Sequence, residues 1–191
     1  MGLRDLLDGG IFGRDRRTPE ERRFGTGLWR QHRDRFSRSV DRFFETAQAL
    51  HAEFGEAGET HVPEDVVSDA PTAAAVEAVS RLTFELNDLD ERVATLMERC
   101  QREVPLEDLV LPADGRRRLG DVPEAVSRAA SLVAQAAQTA AMLRAHLRMA
   151  DAAGTSRGSA DRLGEFPRSA QTYVQRAADT LAAAEAGLPA S

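Results

Sequence analysis

The chain carries four stretches in which apolar residues recur at alternating steps of three and four positions. On an α-helix this spacing places the apolar side chains on one face, and the polar and charged side chains fall on the other faces. We therefore predict an all-α protein with four long amphipathic helices. Their approximate limits are residues 18–54, 70–103, 122–153 and 165–186.

The clearest of these patterns belongs to the second predicted helix. Its apolar positions are Val79, Leu82, Leu86, Leu89, Val93, Leu96 and Cys100. A repeat of this kind is typical of helices that pack lengthwise against other helices, as in a coiled coil. We expect this face to be buried, and Cys100 with it as an inert thiol.

Local signals mark where the predicted helices begin and break. Thr18 and Glu21 have the spacing of a capping box, and Asp121 and Glu124 repeat it at the third helix. The Gly25–Gly27 stretch predicts a kink or break inside the first helix. Residues 105–121, which contain two prolines and two glycines, are expected to form a loop over one end of the helices.

Helices of similar length with connections of moderate length favour an up-down four-helix bundle spanning residues 18–188. Residues 189–191 are expected to fray. The third and fourth helices are rich in Ala, and small side chains bury less apolar area per turn than Leu. The alternative is therefore a set of elongated helical hairpins that complete their core only by dimerising.

Composition narrows the functional class. A net charge of -6 argues against general affinity for nucleic acids, and one cysteine in the chain favours a reducing, cytoplasmic setting. The sequence shows no nucleophile elbow, no phosphate-binding glycine loop and no paired metal-ligand motif. We expect no catalytic residues, no metal site and no cofactor, and hence a protein that is not an enzyme.

The N-terminal segment, residues 1–17, is the part that a bundle does not need. A short apolar stripe is followed by basic residues, which is the arrangement of a weak interfacial anchor. The residues expected to touch a membrane or a partner are Leu3, Leu6, Leu7, Ile11, Phe12, Arg14, Arg16 and Arg17. The alternatives are that this stripe docks on the end of the bundle itself, docks on a protein partner, or is disordered.

Two further basic stretches suggest partners. The run Arg116, Arg117 and Arg118 lies in the connection between the second and third helices, where it could bind an anionic partner. Residues 14–42 combine ten Arg with aromatic residues, which resembles a nucleic-acid face. Because those aromatics fall on the apolar face of a predicted helix, nucleic-acid binding is the less favoured reading.

The sequence as a whole favours a non-enzymatic helical-bundle interaction protein, an adaptor or scaffold. It would act through helix faces on a protein partner or on further copies of itself, and residues 1–17 would hold it at the inner surface of a membrane. The alternatives are a nucleic-acid-binding protein that uses residues 14–42, and a small-molecule binder or enzyme with a site between helices.

Overall fold

The apolar faces of the sequence fold into a bundle of four long helices in a computed structural model, which describes residues 18–55 and 70–188. Two short helices accompany them. The six elements are α1 (Pro19–Phe24), α2 (Leu28–Phe54), α3 (Ala70–Glu103), α4 (Ala113–Leu119), α5 (Val122–Ala152) and α6 (Ala160–Ala186). The described part of the chain contains no strand, so the all-α prediction is confirmed.

The long helices alternate in direction, as expected for an up-down bundle. Around the bundle, however, their order is α2, α3, α6, α5, because α2 packs on α3 and α5, and α6 packs on the same two helices. The consecutive helices α3 and α5 therefore lie on a diagonal. The chain between them crosses one end of the bundle through residues 104–121, and α4 forms part of this crossing.

A single hydrophobic core runs through the bundle. Three aromatic side chains of α2, those of Trp29, Phe36 and Phe43, are completely buried. On α5, which packs against α2, buried positions such as Ala129, Ala136 and Ala140 are small. Large side chains thus fill the space that the Ala-rich helix leaves. The core closes within one chain, and the predicted face of α3 is buried along its whole length.

Of the two predicted capping boxes, the one at Thr18 forms and the one at Asp121 does not. The Glu21 amide donates to the Thr18 hydroxyl at 3.1 Å and the Thr18 amide donates to the Glu21 carboxylate at 2.7 Å, which completes the predicted capping box. The chain breaks between α1 and α2 at the predicted glycines. The capping box predicted at Asp121 is wrong: its backbone, at φ -97° and ψ 19°, follows the turn out of α4, and its side chain caps no amide.

The last helix starts earlier than its apolar pattern indicates. Its N-cap is Ser159, whose hydroxyl accepts a hydrogen bond from the Arg162 amide at 3.4 Å, and α6 begins at Ala160 instead of near residue 165. Pro167 therefore lies inside the helix. This first turn also contributes Leu163, whose side chain is completely buried, so the cap and this one core contact both support its helical state.

Candidate functional site

The residues that the sequence singled out fall in two places. All eight in the N-terminal segment, from Leu3 to Arg17, lie outside the described residues. The run Arg116–Arg118 was expected in a loop, but it lies on α4, where all three side chains are exposed. Arg117 pairs with Asp114 on the same helix. The side chains of Arg116 and Arg118 form no ion pair with the described residues.

The segment before α4 displays two apolar side chains to solvent. Within residues 105–112, Leu106 and Leu111 point into the core, with 9% and 8% of their surface exposed. Between them, Leu109 is 58% exposed and Val110 is 75% exposed. Together these two adjacent side chains form a small apolar patch that a partner could cover.

This segment is attached firmly to the start of α2. The Leu28 amide donates to the carbonyl of Asp108 at 3.0 Å, and the Trp29 indole donates to the carbonyl of Val104 at 2.9 Å. The Thr26 hydroxyl donates to the Glu107 carboxylate at 2.9 Å. These bonds hold the chain immediately before the exposed pair, and the buried side chain of Leu111 follows it, so the outward position of the pair is built into the fold.

A glycine makes this close attachment possible. A Cβ atom on Gly27 would lie 2.4 Å from the carbonyl oxygen of Asp108 and 2.7 Å from the carbonyl carbon of Glu107. Both neighbours are backbone atoms, which cannot turn aside as the end of a side chain can. The sequence therefore needs glycine at position 27 to bring the segment against α2.

The exposed pair borders a cavity of about 440 Å³, which we call the end pocket. It lies at the end of the bundle where α2 and α5 begin. Its lining consists of Leu28, His32, Leu109, Val110, Leu111, Arg116, Pro123, Glu124 and Ser127. The end pocket thus combines apolar walls with a guanidinium, an imidazole, a hydroxyl and a carboxylate, a mixture suited to binding a side chain or short segment of a partner.

The polar groups of the end pocket are placed for hydrogen bonding. His32 Nδ1 lies 3.2 Å from the hydroxyl of Ser127. Burial and the nearby Arg35 lower the pKa of His32, and the carboxylate of Glu124 opposes them. A serine nucleophile of the triad type needs a carboxylate hydrogen-bonded to the second imidazole nitrogen. The described residues supply no such bond to His32.

Two other groups that could take part in chemistry, the Cys100 thiol and the Glu53 carboxylate, have structural roles. Cys100 is completely buried on the inner face of α3, and burial raises the pKa of its thiol to about 12, so it stays protonated. The Glu53 carboxylate accepts hydrogen bonds from Arg144 and Arg148, which lower its pKa to about 2. Over residues 18–55 and 70–188 there is no group of three or more His, Cys, Asp or Glu placed to hold a metal ion.

The Arg-rich stretch expected at residues 14–42 does not present its aromatics to a ligand. Phe24, Trp29 and Phe36 are buried in the core. Three of the described arginines of this stretch are bound by acidic residues: Arg23 by Glu98, Arg30 by Glu20 and Asp34, and Arg33 by Asp90. Bases cannot stack on buried rings, and paired guanidinium groups are less available to phosphates.

A second surface lies on the outer side of α5. Along this helix a second set of residues follows the three-four spacing, on the face opposite the core. We call this set the outer seam; it consists of Arg128, Ser131, Gln135, Gln138, Met142, Ala145, Met149 and Ala152. Met142 is 55% exposed and Met149 is 65% exposed. The sequence prediction followed only the inner face of this helix, although the absence of charge from residues 129–143 was a visible signal.

The chain matches no family model, no curated protein and no solved structure, so these surfaces must be interpreted from their own residues. Among the described helices none is both long and apolar enough to cross a membrane.

Proposed function

We propose that the protein is a non-enzymatic interaction protein, an adaptor or scaffold, which binds a protein partner at the end pocket. The observation that carries this proposal is the outward display of Leu109 and Val110 by a segment whose backbone is bound to α2 immediately before the pair. Exposing apolar surface in a fixed position costs free energy of hydration. Covering that surface with a partner recovers it.

The chemistry of the end pocket, which also includes the carboxylate of Glu124, supports a partner of a particular kind. Leu28, Leu109 and Val110 suit apolar side chains, and Arg116, whose guanidinium has no acidic partner among the described residues, suits a carboxylate. A short amphipathic segment that carries an acidic residue beside two or three apolar ones fits both features. His32 and Ser127 would then contribute hydrogen bonds at the base of the pocket.

We further propose that residues 1–17 hold the protein at the inner surface of a membrane, in the cytoplasm. Their apolar stripe and basic flank support this proposal. Residue 18, where the described chain begins, leads into α1, which packs near the C-terminal end of α3. The membrane segment therefore joins the bundle at the same end as the end pocket.

Photo-crosslinking tests the partner site. A photo-reactive side chain replaces Val110 in the full chain in cells, and the matched control carries it at Gln175, which is exposed on α6. We expect a discrete crosslinked product at position 110 and not at position 175. The same product at both positions, or at neither, would contradict the proposal.

Sedimentation with anionic vesicles tests the membrane part. The full chain is compared with a Leu7→Asp/Phe12→Asp variant at low and physiological salt. If the proposal holds, the wild-type protein pellets with vesicles and the variant does not. Equal pelleting of the two, or none by either, would show that the segment has another role.

A further inference from the structure

The outer seam of α5 differs from the outward faces of the other long helices. Exposed charges occur along α2, α3 and α6, as at Asp41, Arg81 and Arg176. On α5 the fifteen residues from 129 to 143 carry no charge at all. This uncharged stretch can be covered by another helix without burying an unpaired charge.

The outer seam also has the repeat that helix pairing requires. Its steps alternate three and four from Arg128 to Ala152, a length of roughly 36 Å along the helix. Residues beside the seam are mostly small and uncharged, as at Ala134, Ala141 and Thr139. Another helix can therefore approach closely along residues 129–143, and beyond them Arg148, which binds Glu53, borders the seam.

We propose that the outer seam pairs with the outer seam of a second copy of this chain, with the two α5 helices antiparallel. One register pairs every residue of the seam. Ser131 then faces Met149 of the second copy, and Gln138 faces Met142 of the second copy. Each methionine meets a shorter or more polar side chain, so the two surfaces interdigitate.

Charge favours the antiparallel arrangement. Arg128 forms no ion pair with a described residue of its own chain. In the antiparallel register it lies opposite Ala152 of the second copy and next to Asp151 of the second copy, whose carboxylate also binds Arg157 of its own chain. In a parallel pair in register, the two Arg128 guanidinium groups would face each other, and like charges placed together are destabilising.

The antiparallel pairing does not depend on the proposed function, but it determines how two end pockets lie in one dimer. The end pocket lies near the N-terminal end of α5, so an antiparallel pair carries one end pocket at each end, roughly 45 Å apart along the helix axis. A single helix face is smaller than the roughly 800 Å² per partner of a stable interface. We therefore expect a weak dimer that bridges two partners.

Engineered cysteines test the register in the full chain. The single variants Ser131→Cys and Met149→Cys are purified separately and then oxidised alone and as a mixture. We expect a disulfide dimer in the mixture only, since two copies of residue 131 lie roughly 27 Å apart in the antiparallel pair. Dimers of Ser131→Cys alone would indicate a parallel pair, and no dimer in any sample would overturn the proposal. Buried Cys100 serves as the internal control.

Sedimentation equilibrium tests the pairing itself. We expect the average mass to rise with concentration for the wild-type chain and for Phe84→Glu, a control at a 74% exposed apolar residue on α3. Met142→Glu should remain monomeric with unchanged thermal unfolding. A wild-type chain that stays monomeric at every concentration refutes the second copy but leaves the Val110 crosslink of the end pocket unaffected, so the two proposals fail separately.

Discussion

The indole of Trp29 donates a hydrogen bond of 2.9 Å to the carbonyl of Val104, and this bond joins the first turn of α2 to the segment that leaves α3. Both partners are buried, so neither can exchange the bond for water. The bond fixes the point from which the chain crosses the end of the bundle. The position of Leu109 and Val110, and with it the shape of the end pocket, depends on this attachment.

Replacing the indole should loosen that attachment. Trp29→Phe keeps an aromatic ring but leaves the Val104 carbonyl buried without a partner, which we expect to cost about 1–3 kcal/mol of unfolding free energy. Chemical denaturation measures the loss. Hydrogen exchange should also accelerate at residues 105–110, and unchanged exchange there would show that the bond does not hold the segment.

Gly27→Ala should have a related effect through sterics. The added methyl group would meet backbone atoms of Asp108 and Glu107, so the segment must move away from α2. We expect a loss of about 1–3 kcal/mol in chemical denaturation. Gly187→Ala is the control, because its nearest neighbour would be an ordinary 3.5 Å away, and it should change stability by less than about 0.5 kcal/mol. Equal effects of the two substitutions would contradict the close approach at Gly27.

The inner face of α3 should respond to truncation. Leu89 is 4% exposed at the centre of that face, so Leu89→Ala should lower the unfolding free energy by about 2–4 kcal/mol. Phe84→Ala, on the outer face of the same helix, should cost far less because the ring is already in solvent. The denaturation midpoints of the two variants give the comparison, and a larger shift for Phe84→Ala would be inconsistent with this orientation of α3.

His32 should make stability depend on pH. Its pKa is lowered in the folded protein relative to 6.5, so the unfolded chain binds a proton more readily. The contribution of neutral His32 is therefore present above pH 6.5 and is lost as the pH falls below it. His32→Gln removes this titration and keeps a group that can bond Ser127.

The measurement is the unfolding free energy of both proteins between about pH 7 and about pH 5.5, above the range in which carboxylates titrate. We expect the wild-type chain to lose more stability over this range than the variant. Parallel curves would mean that His32 titrates equally in the folded and unfolded chains.

The long helices could be predicted from the sequence because each of them buries one face. The residues of a buried face are apolar, and on a helix they recur at steps of three and four positions. The sequence predicted the break at Gly25–Gly27 and the burial of Cys100 for the same local reasons. It did not predict the diagonal placement of α3 and α5, since the order of helices around a bundle depends on contacts between distant residues. The helical state of Arg116–Arg118 was also missed, because α4 is short and is positioned mainly by the crossing over the bundle end.

The end pocket could not be predicted for a similar reason. Its lining comes from the start of α2, the crossing segment, α4 and the start of α5, which lie far apart in the sequence. Leu109 and Val110 are as apolar as the buried Leu106 and Leu111, and the anchored backbone determines which pair faces solvent. The outer seam of α5, by contrast, was readable from the missing charges.

In the proposed function, the end pocket binds a partner through its apolar pair and the guanidinium of Arg116. The most direct measurement is the yield of the Val110 photo-crosslink in two charge-reversal backgrounds, Arg116→Glu and the matched control Arg176→Glu on α6. We predict that Arg116→Glu lowers the yield about tenfold, the loss of one charge-assisted contact, while Arg176→Glu leaves it unchanged. Equal yields in the two backgrounds would contradict recognition of an acidic partner at the end pocket.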